Sequence, residues 1–152
     1  MSAMPSPAYH HQFRVALPDT DVAGVLFFAH LFRHAHDAYE AWMSSLGFPL
    51  HEMIRTGAMA LPLVHAEADY RRPLQHGELV TVELFLADLQ PARFTIDYRF
   101  LTDRRMAALA RTIHVCIDPS MPAGPDQGHC AVRLPESFSD TLRANLATPT
   151  TT

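Results

Sequence analysis

The apolar positions of this chain change period twice. Over residues 10–17 (HHQFRVAL) apolar and polar residues partly alternate, with Phe13, Val15 and Leu17 on one side, which predicts a first strand. Pro18 stops it. Asp19, Thr20 and Asp21 then crowd together and Gly24 follows, a stretch too polar and turn-rich for a strand. Beyond it Leu31, Ala35, Ala38, Tyr39, Trp42, Met43 and Leu46 recur at three- and four-residue steps, the stripe of a long core-facing helix. Gly47 and Pro49 end that helix, and residues 50–56 predict one or two further helical turns before Gly57. From there the period is two. Residues 60–70, 78–89, 93–101 and 106–118 each predict a strand, divided by RRPLQHGE, QPA and TDRR, connections short enough for antiparallel hairpins. Residues 119–128 (PSMPAGPDQG) make a loop by composition, and residues 137–146 predict a short terminal helix after Pro135. A single domain over residues 8–147 is expected between disordered tails at 1–7 and 148–152, with no internal repeat.

A strand, a long helix and four further strands can bury each other in few ways, because the helix has one apolar stripe and the sheet one apolar face. The economical solution is α+β: a curved five-stranded antiparallel sheet wrapped around one long central helix. Composition narrows the partners. Apolar residues make up 48% of the 152 residues, charged residues 18%, and the formal net charge is −4. Basic residues cluster only in the short pairs Arg71-Arg72 and Arg104-Arg105 and form no stripe, which argues against nucleic acid as a ligand. No window approaches the apolar length of a membrane span. The N-terminus has neither the basic nor the apolar region of a signal peptide, so the expected location is the cytoplasm. Cys116 and Cys130 permit one disulfide and demand none.

The loop ahead of the helix is where chemistry is expected. It sets a carboxylate beside the free N–H groups and positive end of a helix, a combination suited to a polarised carbonyl. An Asp before a helix is most often a turn former or N-cap, a role that suits Asp19 better than Asp21. Phe27 and Phe28 would ordinarily be core residues, and Tyr39 and Trp42 lie on the buried stripe. Among ten histidines, His30 and His34 have the i, i+4 spacing of metal ligands. There is no HExxH pattern and no third ligand is implied, so no metal and no cofactor is expected. His36 falls on a different face from His30, and either can line a substrate pocket. His65 and His114 read as ordinary sheet residues.

Two segments in this order, DTDVAGVLFFAHLFRHAHDAYEAW and LPLVHAEADYRRPLQHGELVTVEL, resemble the hotdog-fold acyl-CoA thioesterases of the 4-hydroxybenzoyl-CoA thioesterase family. Within that family they are most similar to the 1,4-dihydroxy-2-naphthoyl-CoA hydrolases. The resemblance covers roughly residues 8–118. It implies hydrolysis of an aromatic acyl-CoA to the free acid and CoA, with Asp21 as carboxylate nucleophile or general base. The Phe28 backbone N–H would polarise the thioester carbonyl. Gly24, Val25, Phe27, His30 and His36 would contact the substrate, and Arg71, Arg72 and Arg93 would hold CoA. Glu40 on the helix and Glu67 in the following strand are rival carboxylates. The resemblance also implies a homotetramer, a dimer of dimers with active sites at the dimer interface. Three alternatives stay open: a hotdog module that binds acyl-CoA without turnover, a thioesterase for short aliphatic acyl groups, and a hydratase or dehydratase.

Overall fold

The computed structural model describes residues 5–126 and 128–147. The tail residues 1–4 and 148–152 lie outside the described residues, whereas Pro5 lines a cavity on the outer face of the sheet. Strand β1 (Tyr9–Arg14) leads through a short 3-10 turn (Leu17–Asp19) and the loop to helix α1 (His30–Ser45). Helix α2 (Leu50–Thr56) follows, then β2 (Leu63–Tyr70), β3 (Leu79–Leu89), β4 (Arg93–Thr102) and β5 (Arg105–Val115), and finally α3 (Glu136–Arg143). The strands form one antiparallel sheet in the order β1-β3-β4-β5-β2. This is the hotdog arrangement, with α1 against the inner face.

The inner face explains why. Leu31, Ala35, Ala38, Tyr39, Trp42 and Met43 of α1 are buried in one cluster with Val80, Val82, Leu84 and Leu86 of β3, Phe94, Ile96, Tyr98 and Phe100 of β4, and Ala108 and Ala110 of β5. Each large side chain so buried contributes about 1.5–3 kcal/mol. Alternate residues point outward, where Asp97 receives both Nε and Nη2 of Arg111, at 2.6 and 2.9 Å. Register fixes the sides: Ala68 pairs with Ala110 on the inner face, so Glu67 and Asp69, opposite Arg111 and Leu109, are on the outer one.

Several boundaries shift from their sequence expectations. Leu17 does not continue β1's apolar side; it is exposed in the 3-10 turn, because the ladder with β3 ends at Arg14 and Pro18 turns the chain away beyond it. Strands β2 and β5 end short of residues 60 and 118, since Ala60 and Ile117 meet only as an isolated bridge beyond the continuous ladder. Helix α3 stops at Arg143, and Leu146 instead makes a parallel bridge to Leu86. Both cysteines are free, Cys116 buried and Cys130 exposed. No helix among the described residues is long and apolar enough to cross a membrane.

Candidate active site

The loop between the 3-10 turn and α1 is a tight reversal lying on the β2–β3 connection. The Asp21 N–H donates to the Val25 carbonyl (3.0 Å), the Gly24 N–H to the Asp21 carbonyl (3.0 Å), and Thr20 bridges Leu26. Gly24 has φ +76°, a conformation that a residue with a Cβ adopts only with strain. The His76 N–H donates to the Gly24 carbonyl and the Leu26 N–H to the Leu74 carbonyl, at 3.0 and 2.7 Å, which seats the loop. Val25 is likewise bridged to Gln75.

At the tip of this reversal the Asp21 side chain is exposed. Its Oδ1 accepts the Ala23 N–H at 2.8 Å, and no ion pair to it exists among the described residues. It therefore shapes the tip rather than capping α1. The helix indeed has no side-chain cap at all. The His30 N–H turns back to the Phe27 carbonyl and the Leu31 N–H to the Phe28 carbonyl. The N–H groups of Phe28 and Ala29 have no acceptor among the described residues. An uncapped helix start exposes orphan donors at the positive end of the dipole.

The side chains of Phe27 and Phe28 are not core. Phe28 is 62% exposed, its ring 4.7 Å from that of Phe27, which meets the edge of His30. The Tyr70 hydroxyl donates to the Phe28 carbonyl, so the end of β2 is tied to the start of α1. Arg71 and Arg72 follow directly, exposed and without an ion pair among the described residues. They line a recess of about 240 Å³ with Leu26, Tyr70, Pro73, Leu74 and Ala108.

Behind the loop lies Asp19, only 2% exposed. Its Oδ2 accepts His34 Nε2–H at 3.0 Å and the Ala16 N–H at 3.3 Å, and its Oδ1 accepts Arg33 Nη1–H at 3.2 Å. Burial pushes the carboxyl up, but those hydrogen bonds and the charges of His34 and Arg33 outweigh burial and hold it below the ordinary carboxylate range. The Asp19 carbonyl accepts the Phe27 N–H (2.8 Å) and faces His30 Nδ1 (3.2 Å). His30 and His34 therefore both face Asp19, and no group of three potential ligands with metal-site geometry occurs among the described residues.

Not every expected residue joins this site within one chain. His36 is exposed further along α1 against Tyr39 and His114, away from His30. Arg93 opens β4 opposite Val115 and donates to Gln90, whereas Arg71 pairs with Ala107; along β5 the two are roughly 25 Å apart. Glu40 is ten residues past the start of α1, about 15 Å along its axis. Glu67 points away from α1 on the outer face and accepts a bond from His65 (2.8 Å). Neither Glu40 nor Glu67 therefore shares the Asp21 loop within one chain. Tyr70 and His34 were not expected as site residues. The available signals were a Tyr directly before Arg71-Arg72 and a histidine on the apolar stripe, beside Leu31, Ala35 and Ala38.

Known proteins resemble this chain over most of its length. A 1,4-dihydroxy-2-naphthoyl-CoA hydrolase of Synechococcus elongatus is 38% identical over 136 residues, covering 89% of this chain and 95% of its own. One from Microcystis aeruginosa is 35% identical over 128 residues, covering 84% and 88%. The crystal structure of a 1,4-dihydroxy-2-naphthoyl-CoA thioesterase from Synechocystis superposes with a TM-score of 0.78 at 33% identity, covering 89% of this chain and 95% of that one. The profile of one family matches residues 15–142, a span that holds the loop, the central helix and the four following strands: the chain belongs to the thioesterase-like superfamily.

Proposed function

We propose that this protein hydrolyses the thioester of an aromatic acyl-CoA, of the 1,4-dihydroxy-2-naphthoyl or 4-hydroxybenzoyl type, to the free acid and CoA. One observation carries the reading: an exposed carboxylate, Asp21, shares its loop with the unpartnered N–H groups of Phe28 and Ala29 at an uncapped helix start. A thioester carbonyl set on those donors develops negative charge that backbone dipoles stabilise. The Asp21 carboxylate, ionised at neutral pH, then attacks the carbonyl carbon or takes a proton from the attacking water. Either route expels CoA thiolate: direct attack leaves a mixed anhydride that water then hydrolyses to the free acid and the Asp21 carboxylate, whereas the base route gives the acid at once and the proton taken from water passes to the thiolate. Phe27 and His30 flank the acyl group, and Gly24 and Val25 supply main chain close to it. Arg71 and Arg72, at the mouth of the recess beside Leu26, meet the phosphates of CoA through charge-assisted hydrogen bonds.

The working unit is at least a pair of chains. Along β2 only one edge is hydrogen-bonded, to β5, and Leu63, Val64 and Tyr70 on it are exposed, as are Val22 and Phe28 of the loop. An exposed apolar edge invites pairing with a second copy. Pairing across β2 covers the loop and completes the pocket, and two such pairs make the tetramer. Any part that His36 or Arg93 plays at the Asp21 loop comes from another subunit.

The test is release of CoA, followed with a thiol reagent, from a panel of aromatic and aliphatic acyl-CoAs, wild type beside Asp21→Asn. Turnover of an aromatic acyl-CoA should fall about 10²–10⁴-fold in the variant, the range lost with a catalytic acid–base group. Full activity in Asp21→Asn would sink the assignment of Asp21 as the catalytic carboxylate. Binding with no release from any thioester would leave a module that holds acyl-CoA without turning it over.

A further inference from the structure

We infer that Asp19 and His34 are a positioning pair for the Phe28 amide, an inference that rests on the hydrolase reading of the loop. Asp19 ties the chain after β1, the loop and α1 together behind the site. Its carboxylate gathers the Ala16 N–H from the segment just after β1 and the side chains of Arg33 and His34 from α1, while its carbonyl holds the Phe27 N–H at 2.8 Å. The Phe27 N–H is the donor immediately before the Phe28 N–H. Securing the first on an acceptor behind the loop leaves the second free at the helix start, where the thioester carbonyl is to be received.

The arrangement is poor as a device for stability alone. A small capping side chain would satisfy helix donors at the surface. Here instead an anion is buried, and the histidine that holds it stacks flat on Phe13, ring centroids 3.6 Å apart and planes 6° apart. That stacking leaves His34 Nδ1 buried with no hydrogen-bond partner, the Asp37 carboxylate being 3.8 Å away. Burying a polar atom unpaired costs stability. In return the imidazole cannot rotate, so Nε2 stays on Asp19 Oδ2 and the Asp19 main chain keeps its place. A fixed donor needs no reorganisation when charge develops on the substrate.

Four variants test the inference: Asp19→Asn, His34→Ala, the double variant, and His34→Gln, whose amide N–H can replace Nε2–H. The readouts are kcat and KM for the aromatic acyl-CoA, and hydrogen exchange at the Phe27 amide. Asp19→Asn and His34→Ala should each lower kcat about tenfold to hundredfold with KM within about twofold, since only the charge developed in the transition state loses its donor. The double variant should be no worse than either alone, His34→Gln should recover most of the rate, and Phe27 exchange should quicken wherever kcat falls. Wild-type kcat in Asp19→Asn or His34→Ala, additive losses, or a loss carried by KM would overturn it. If Asp19→Asn does not fold, the His34 pair decides by the same criteria. CoA release by the wild type is measured alongside: if it releases CoA from no thioester, the hydrolase reading fails, whereas full turnover in Asp21→Asn removes only Asp21 from the chemistry. Phe27 exchange then still reports whether the pair holds the loop.

Discussion

Between β5 and the inner helix, His114 donates its Nδ1–H to the Leu61 carbonyl at 3.1 Å and accepts at Nε2 from the Thr112 hydroxyl, which in turn accepts from the Tyr98 hydroxyl (both 3.2 Å). The chain of donors closes only with a neutral imidazole. Burial among Phe94 and Tyr39 pushes its pKa down to about 4, further lowered by His36 and only partly offset by the bond to Leu61. The unfolded chain takes up this proton near pH 6.5, the folded one near 4, so stability is lost as pH falls through that window. The difference corresponds to about 3 kcal/mol at pH 4. Denaturation by urea should therefore show a midpoint that drops between pH 6.5 and 4, and His114→Gln should flatten that part of the curve. Asp19 acts lower on the scale: its depressed pKa stabilises the fold above the ordinary carboxylate range and the benefit is withdrawn as pH falls through the folded value. Sequence placed His114 in a strand but contained nothing to say that it is the end of a relay. Such a role depends on Leu61, a residue 53 positions away.

At the scale of elements, what matters is how β2 meets α1. The Tyr70 hydroxyl, at the end of β2, donates to the Phe28 carbonyl in the first turn of the helix. Loss of one such bond is worth about 0.5–1.5 kcal/mol, so Tyr70→Phe should lower kcat about two- to tenfold and the melting temperature by about 2–5 °C. An unchanged kcat would show that the loop is held well enough by Asp19 and by residues 74–76 alone. Helix α1 was legible because its buried positions follow one stripe from Leu31 to Met43, the signature of burial on a single side. The hairpins were legible for the same reason with period two. Their turns were less so: Asp103 and Arg104 both take positive φ between β4 and β5, which asparagine or glycine would have announced and these residues do not.

For the whole molecule the open apolar feature is the β2 edge. A sheet ordered β1-β3-β4-β5-β2 leaves β1 and β2 each bonded on one side, and it is around β2 that Leu63, Val64, Tyr70, Val22 and Phe28 are exposed. A second copy added there would extend the sheet and cover the loop that bears Asp21. Val64→Lys changes a surface residue of the single chain and should alter its own stability by no more than about 0.5 kcal/mol. Set in a paired edge, the same charge would be desolvated. Sedimentation should therefore give a smaller particle than wild type, and CoA release should fall with it. A monomer that kept full activity would mean that one chain completes the site.

By itself the sequence determined what depends on neighbours along the chain: the elements and their order, the buried faces, the loop with Asp21 and Gly24, and the family resemblance carried by contiguous segments. These follow from periodicity and turn chemistry, which are local. Only the tertiary structure decided which polar groups share a site. It turned His30 and His34 onto Asp19, brought Tyr70 to Phe28, set Arg71 and Arg72 beside the loop, and carried Arg93 to the other end of the sheet and Glu67 to its outer face. Those outcomes depend on strand register and on the packing of a helix against a curved sheet. A shift of one residue in register reverses every face of a strand while leaving its composition unchanged.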